Sequence, residues 1–338
     1  VVKTDITQIV TLGIFIFAYV LIFSGKMDRM TAALIGVITM LAAGYALHFM
    51  NFEDMLSYVN WEVIILLFGM MTFVGELART GFFKFLGLKT IKFARGNPWL
   101  MFVYLTTITA VVSMFIDNVT TVLLMIPLTA EACNMININP IPLILGEAVF
   151  SNMGGTATLI GDPPNILVGI AAGITFDAFI INLILPVILS IIISLFLVKL
   201  IYKRWLKSEP KNVHELMKIK EWTYVKNVMR MRILLVLLLI MVAFFATGSY
   251  THIPVAFVAL AGGTIALALS RKTPEEVLKA VGWPTLAFFI GLFVLVGGLQ
   301  ETGITNPDGE CDLLCVIKSN YNCHLDSLDR RAILIRRG

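Results

Sequence analysis

Stretches of about 20 residues with almost no charge recur along this chain, and that is the length a helix needs to cross a bilayer. They fall at 6–24, 31–50, 141–174 with an interruption, 176–202, 233–247, 253–270 and 283–299, and 62–77 is a shorter candidate. Hydrocarbon leaves the backbone no outside hydrogen-bond partners, so such runs read as membrane helices. With 58% of residues hydrophobic and only 14% charged, an ordinary soluble domain is excluded. The expected fold class is an all-α polytopic membrane protein, and the expected location is the cell membrane with multiple passes.

The net charge of +4 does not form a nucleic-acid patch, because the basic residues sit between the apolar runs. Lys26 and Arg29 follow the first run, Arg79 to Arg95 follow the third, and Lys199 to Lys207 close the run that starts at Phe176. The positive-inside rule then puts the N-terminus outside and the basic segment 206–232 in the cytoplasm. Lys84, Lys89, Lys92 and Arg95 share an arc of about 140° on a helical wheel, which suits a helix lying in the interface with its basic face toward lipid headgroups. Of the four cysteines only Cys133 lies in the apolar body; Cys311, Cys315, Cys323 and His324 match no zinc-finger spacing, so no metal is expected there. The chain opens Val-Val, with no methionine and no cleavable signal, and its start reads as trimmed.

The segment 52–81 has a second version at 274–303. Trp283 follows Trp61 by 222 positions, and the same offset pairs Glu53 with Glu275, Gly69 with Gly291, Gly75 with Gly297 and Thr80 with Thr302. Counted through the topology above, the two Trp helices end on opposite sides of the membrane. This is the inverted repeat of secondary transporters. The domains expected are a first repeat at 1–205, the basic loop at 206–232, the start of a second repeat at 233–305, and a polar tail at 306–338. The second repeat reads as cut short, with the tail supplied by a frameshift or splice or else as a separate soluble segment.

Within the first repeat the run at 141–174 is broken by S-N-M-G-G-T-A-T-L-I-G-D-P-P-N, from Ser151 to Asn165. A broken backbone at membrane depth is tolerated only where protein or a water-filled cavity pairs it, which makes it a site. Pro163 and Pro164 bar helical continuation on their N-terminal side, and glycines release carbonyls that suit a hard cation. A second polar patch runs D-N-V-T-T from Asp117 to Thr121.

Together these two patches resemble the ion transporter superfamily, which holds arsenite efflux pumps of the ArsB type, sodium/proton antiporters of the NhaD type, the melanosomal P protein, and citrate and dicarboxylate carriers. The pattern is most similar to the P protein and ArsB-like branch, over 6–303. The resemblance implies a re-entrant hairpin at 98–134 with the first patch at its tip, and an unwound helix at 140–175 that carries the second. A helix at 176–205 follows.

The ion-binding residues expected on this basis are Asp117, Asn118, Thr120, Thr121, Asn152, Gly154, Gly155, Thr156, Thr158, Gly161, Asp162 and Asn165, with Na⁺ held at Asn118, Gly154, Thr158 and Asp162. Each has a plain structural alternative: Asp162 before two prolines is a natural helix N-cap, Asp117 can cap too, and Asn and Thr cap half-helices. A charged carboxylate in mid-membrane is costly, which makes both aspartates candidates for proton or cation coupling. Glu147 and Glu76 rank below them, each with burial against Ser or Thr partners as the structural alternative.

The function expected is secondary active transport of a small ion or oxyanion coupled to H⁺ or Na⁺, by Na⁺/H⁺ antiport or arsenite-type efflux. Dicarboxylate carriers of the superfamily resemble Ser-Asn-Thr at the tip and Gly-Ser-Pro-Pro-Asn at the break. Asp117 and Asp162 replace those serines here and would repel a di-anion. The alternatives are a citrate or dicarboxylate carrier and a transport-dead remnant. No phosphate-binding loop, G-x-G-D, H-E-x-x-H or G-x-S-x-G motif is present, so no enzyme is expected. No cofactor is expected beyond the coupling ion. The partners expected are the bilayer, the transported ion and a second copy in a homodimer, with no nucleic acid.

Overall fold

The computed structural model describes residues 6–270, 276 and 281–304. In chain order the helices are α1 (Ile6–Ser24), α2 (Arg29–Leu47), α3 (Phe52–Ser57), α4 (Trp61–Arg79), α5 (Phe82–Phe93), α6 (Pro98–Ser113), α7 (Asn118–Met135), α8 (Ile141–Gly155), α9 (Pro163–Ala171), α10 (Phe176–Ile201), α11 (Lys203–Leu206), α12 (Val213–Lys218), α13 (Val228–Ala246), α14 (Gly248–Thr251), α15 (Val255–Ala268) and α16 (Trp283–Glu301), with a 3-10 turn at Glu221–Tyr224. Among the described residues six of them, α1, α2, α4, α10, α13 and α16, are long and apolar enough to cross a membrane. The protein is all-α and polytopic. The tail at 306–338 and most of the loop before Trp283 lie outside the described residues.

Two of the expected spans differ at their ends. The candidate at 62–77 is the full 19-residue α4, and the run at 233–247 starts earlier, at Val228, where the Asn227 side chain accepts from Arg230 N at 3.0 Å and caps α13. Arg230, counted by its charge as loop, is therefore inside a helix. Its guanidinium pairs with Glu76, which is fully buried and also holds Arg79 at 2.8 Å. The Ser or Thr partners of the structural alternative for Glu76 are replaced by two arginines.

The chain divides into two compact units, one containing residues up to Ile64 and those from Trp283, the other containing 65–282. In the first, α2 packs between α1 and α16 on small residues. A β-carbon on Gly36 would meet Ala18 Cβ at 2.7 Å, and one on Gly298 would meet Met40 Sδ at 2.6 Å. Apolar helices gain nothing from leaving lipid for one another, so close van der Waals approach through small residues is what joins them.

In the second unit α4 meets α15 in the same manner: a β-carbon on Gly69 would lie 2.5 Å from the Ala259 carbonyl, and one on Gly263 would lie 2.6 Å from Gly69 O. In the first unit Gly291, which the repeat offset pairs with Gly69, lies against α2, where a β-carbon would be 3.1 Å from Ala33 Cβ and 3.4 Å from Val37 Cγ2. Each Trp helix thus uses a glycine for close approach to another helix, one in each unit.

The hairpin and the broken helix form the core of the second unit. α8 packs against both hairpin arms. Gly146 faces Phe102 and Thr106 while Gly154 faces Ala110, so α6 and α8 run parallel. Asn118 lies by Ser151 and Thr129 by Glu147, so α7 runs antiparallel to both. The C-terminal ends of α6 and α8 therefore meet the N-terminal end of α7.

Helix α5 departs from the expectation of an interfacial helix with its apolar face in lipid. Phe83, Phe85, Leu88 and Ile91 are buried, and the helix packs on α6, α7 and the 3-10 turn. Lys84 and Lys89 stay exposed, but Lys92 Nζ reaches Glu221 at 2.7 Å and the Ile219 carbonyl at 2.9 Å. The segment 206–232 supplies that cover through α12 and the 3-10 turn.

Candidate functional site

At the hairpin tip α6 ends at Ser113 and α7 begins at Asn118. Asp117 is the N-cap of α7: its Oδ2 accepts from Thr120 N at 2.9 Å and Thr120 Oγ1 at 2.5 Å. Thr121 Oγ1 donates back to the Asp117 carbonyl at 3.0 Å. Asp117, Thr120 and Thr121 therefore form a capping turn.

Across from the tip, α8 ends at Gly155, the backbone is non-helical over 156–162, and α9 restarts at Pro163. The break is sewn to the tip by hydrogen bonds that few sequences could supply. Thr158 Oγ1 donates to the Met114 carbonyl and accepts from Gly161 N at 3.1 Å. Asn165 Nδ2 donates to the carbonyls of Gly155 and Thr158, at 3.0 and 3.1 Å. Asn165 thus pairs the last carbonyl of α8 and one within the break, neither of which has an intrahelical donor.

The glycines of the break serve close approach. Gly154, Gly155 and Gly161 all have negative φ, unlike Gly25, Gly81 and Gly96. A β-carbon on Gly154 would sit 2.0 Å from the Ala110 carbonyl oxygen, and one on Gly161 would sit 2.7 Å from Ser113 O. The α6 backbone presses directly on the break, so the expected role of glycine conformational freedom is replaced by lack of room.

Tip and break share three polar side chains. Asn118, the first residue of α7, is buried and donates through Nδ2 to Asn152 Oδ1 at 2.6 Å and to Asp162 Oδ2 at 3.3 Å. Asn152 Nδ2 donates to Ala148 O at 3.1 Å, which turns its oxygen toward Asn118 and so sets which end of the Asn118 amide faces it. Asp162 occupies the N-cap position of α9 yet makes no side-chain cap bond. Its carboxylate instead meets Asn118, whose chain neighbour Asp117 carries a second carboxylate at the same end of α7. Beneath them, Ser151 Oγ lies 3.0 Å from the Asn118 carbonyl, to which it donates, and 3.1 Å from Ser113 Oγ.

Of the residues singled out from the sequence, the structure brings Asn118, Asn152 and Asp162 into one cluster and places Thr158, Gly154, Gly155, Gly161 and Asn165 in the scaffold around it. Thr156 is exposed and bonds only to the Met153 carbonyl, one turn back. The oxygen donors nearest to hand for a hard cation are the Asp162 carboxylate and Asn152 Oδ1. Among the described residues no group of three or more His, Cys, Asp and Glu side chains forms a metal centre. Ser113 and Ser151 were missed in the sequence, where small hydroxyl residues on apolar helices carry no signal of their own. The spacing of Glu147, Ser151 and Gly154 along one face of α8 is the clue that was there.

The citrate transporter family matches residues 19–307 of this chain. An uncharacterized transporter of Mycobacterium tuberculosis is 36% identical over 303 residues, which are 88% of this chain and 70% of the relative. The 46 kDa membrane protein of Mycobacterium leprae is 35% identical over 308 residues, with the same shares of the two chains. The P protein of Homo sapiens is 33% identical over 223 residues, 64% of this chain and 26% of that one. With its membrane helices, its paired hairpin and broken helix, and this match across most of its length, the chain belongs to the citrate transporter family and is a multi-pass membrane transporter.

Proposed function

We propose that the chain moves a small ion by secondary active transport through the cluster of Asn118, Asn152 and Asp162, coupled to H⁺ or Na⁺, with Na⁺/H⁺ antiport as the leading reading and efflux of neutral arsenite next to it. The observation that carries this is Asp162. A carboxylate at a helix N-cap position ordinarily accepts from the first turn, and this one is turned instead toward a buried amide with a second carboxylate nearby. Two neighbouring acidic groups attract a cation and oppose a di-anion.

The test is flux in sealed vesicles containing the 338-residue chain, loaded with acid and a pH-reporting dye. External Na⁺ should raise the internal pH, and Asp162→Asn should cut that response about tenfold or more, since the carboxylate is the only charged ligand replaced. Asn retains the side-chain oxygen and volume, so the variant should insert and fold normally. A response unchanged in the variant would assign Asp162 to structure alone.

A second reading, carriage of citrate, is favoured by the description of the family the chain belongs to. The N-terminal ends of α7 and α9 offer partial positive charge to an anion. Saturable uptake of labelled citrate with no Na⁺-driven pH change would replace the first reading with this one.

A further inference from the structure

Glu147 lies outside the cluster just described, at 0% exposure in the middle of α8. Thr129 of α7 donates to its Oε1 at 2.6 Å, and Oε2 has no hydrogen-bond partner. Among the described residues it takes part in no ion pair, whereas Glu76 and Glu221 both have basic partners. The elements around it bring no compensating charge. From α7 the titratable neighbour is the buried thiol of Cys133. From α6 the facing residues are Phe102, Thr106, Ala110 and Ser113. From α10, Ser194 meets Met153, while Lys199 near the end of that helix sits over the Trp99 ring, 5.4 Å from its centroid.

A carboxylate so placed is costly as an anion and has one oxygen free to carry a hydrogen. Retaining it in a packed apolar interface, where Gln or Leu would fill the same space, calls for a use. Its position supplies one. Glu147 precedes Ser151 by four residues and so lies one turn away on the same face of α8, and Ser151 bonds the carbonyl of Asn118. A polar line therefore runs from Glu147 through Ser151 to the residue that bridges Asn152 and Asp162.

We propose that Glu147 is a proton-binding site distinct from the Asp162 cation site, and that the coupling proton is carried on Glu147. A proton taken from solvent forms the Oε2–H bond, and the same bond breaks when the proton is released on the other side. This rests on the cation-coupled reading above and assigns the two ions to different carboxylates on the two sides of Ser151. In a shared-site exchanger, by contrast, Na⁺ and H⁺ compete for one carboxylate.

Infrared spectra of the 338-residue chain in vesicles, titrated from acid to alkaline pH, read this without any need for transport. The chain holds 22 Asp and Glu residues, so the Glu147 band is isolated as the difference between the unaltered chain and Glu147→Gln. This difference should show a protonated-acid carbonyl stretch that falls as pH rises, is unchanged when both proteins carry Asp162→Asn, and shifts when both carry Thr129→Val, where the hydrogen bond to Oε1 is lost. Gln keeps the acceptor for Thr129, so the first variant should fold. A difference spectrum without such a band, or one whose band stays constant at every pH, would overturn the proposal; the second result would make Glu147 a permanently neutral packing group. In the dye assay Glu147→Gln should lose Na⁺-driven proton movement while Na⁺ binding, followed by protection from thermal unfolding, is kept. Proton movement at the normal level in that variant would also overturn the proposal. Absence of any Na⁺-linked response in the unaltered chain would defeat the transport reading, and the infrared band would still decide Glu147.

Discussion

Asn165 illustrates how one side chain can hold a broken helix open. Its amide supplies both hydrogens to the carbonyls of Gly155 and Thr158, which no helical N–H reaches. Replacing it by Asp removes both donors and sets a negative charge against two carbonyl oxygens. Each buried acceptor left unpaired costs about 1–3 kcal/mol, so Asn165→Asp should lower the unfolding midpoint of the detergent-solubilised protein markedly. A shift no larger than that of a surface substitution would show that the break is held by Thr158 alone. The polar character of this region was legible in the run of Gly, Thr, Asp and Asn. The division of labour within it was not, because Asp117 and Asp162 look alike in sequence and differ only in what lies across from them: Asp117 caps its own helix, and Asp162 meets Asn118 from another.

At the scale of elements, the ion pairs at Glu76 and at Glu221 tie the basic segments to the helices, and the two sites should behave differently. Glu76 is fully buried between Arg79 and Arg230, joining α4 to α13. Removing one partner of a buried pair leaves charge without compensation and costs about 3–5 kcal/mol. Glu76→Ala should therefore destabilise the protein by roughly that amount, and Glu76→Gln by less because it still accepts hydrogen bonds; equal, small effects in thermal unfolding would contradict the pairing.

The Lys92–Glu221 pair is partly exposed, and it tethers α5 to the 3-10 turn. The hydrogen bond from Lys92 holds the Glu221 carboxyl below its ordinary value of 4.5. A depressed acid stabilises the fold at pH above its unfolded value and loses that contribution as pH falls through the folded one. Docking of the turn should thus weaken only below about pH 4.5, by no more than about 1 kcal/mol, as read by hydrogen exchange at the amides of 221–225. Protection unchanged on acidification, in a chain whose Lys92→Met variant is equally protected, would remove the tether. The basic arc on α5 was visible in the sequence. That its apolar face is covered by protein was not, because the cover comes from the packing of α6 and α7 and from a 3-10 turn more than a hundred residues further on.

At the scale of the whole molecule the internal repeat is the organising fact, and its two Trp helices are packed to different tolerances. A β-carbon on Gly69 would strike the backbone of Ala259 at 2.5 Å, whereas one on Gly291 first meets side chains, Ala33 at 3.1 Å and Val37 at 3.4 Å. Backbone cannot yield as a side chain can, so Gly69→Ala should destabilise by about 1–3 kcal/mol and Gly291→Ala by clearly less, although the repeat makes them equivalent. The reverse order in thermal unfolding would mean that the Gly69 contact relaxes freely.

Length and apolarity of the runs determined the class of fold and the membrane as its solvent, because hydrocarbon permits so few backbone arrangements. The spacing of Trp, Gly and Glu determined the repeat, and the two polar motifs determined where the helices must break. Only the tertiary structure decided which of those polar groups face one another, that Glu76 is neutralised by an arginine 154 positions away, and that Glu147 is left with an oxygen unpaired. Hydrogen bonds and ion pairs act over a few ångströms between residues far apart in the chain, and no local pattern of residue types carries that information.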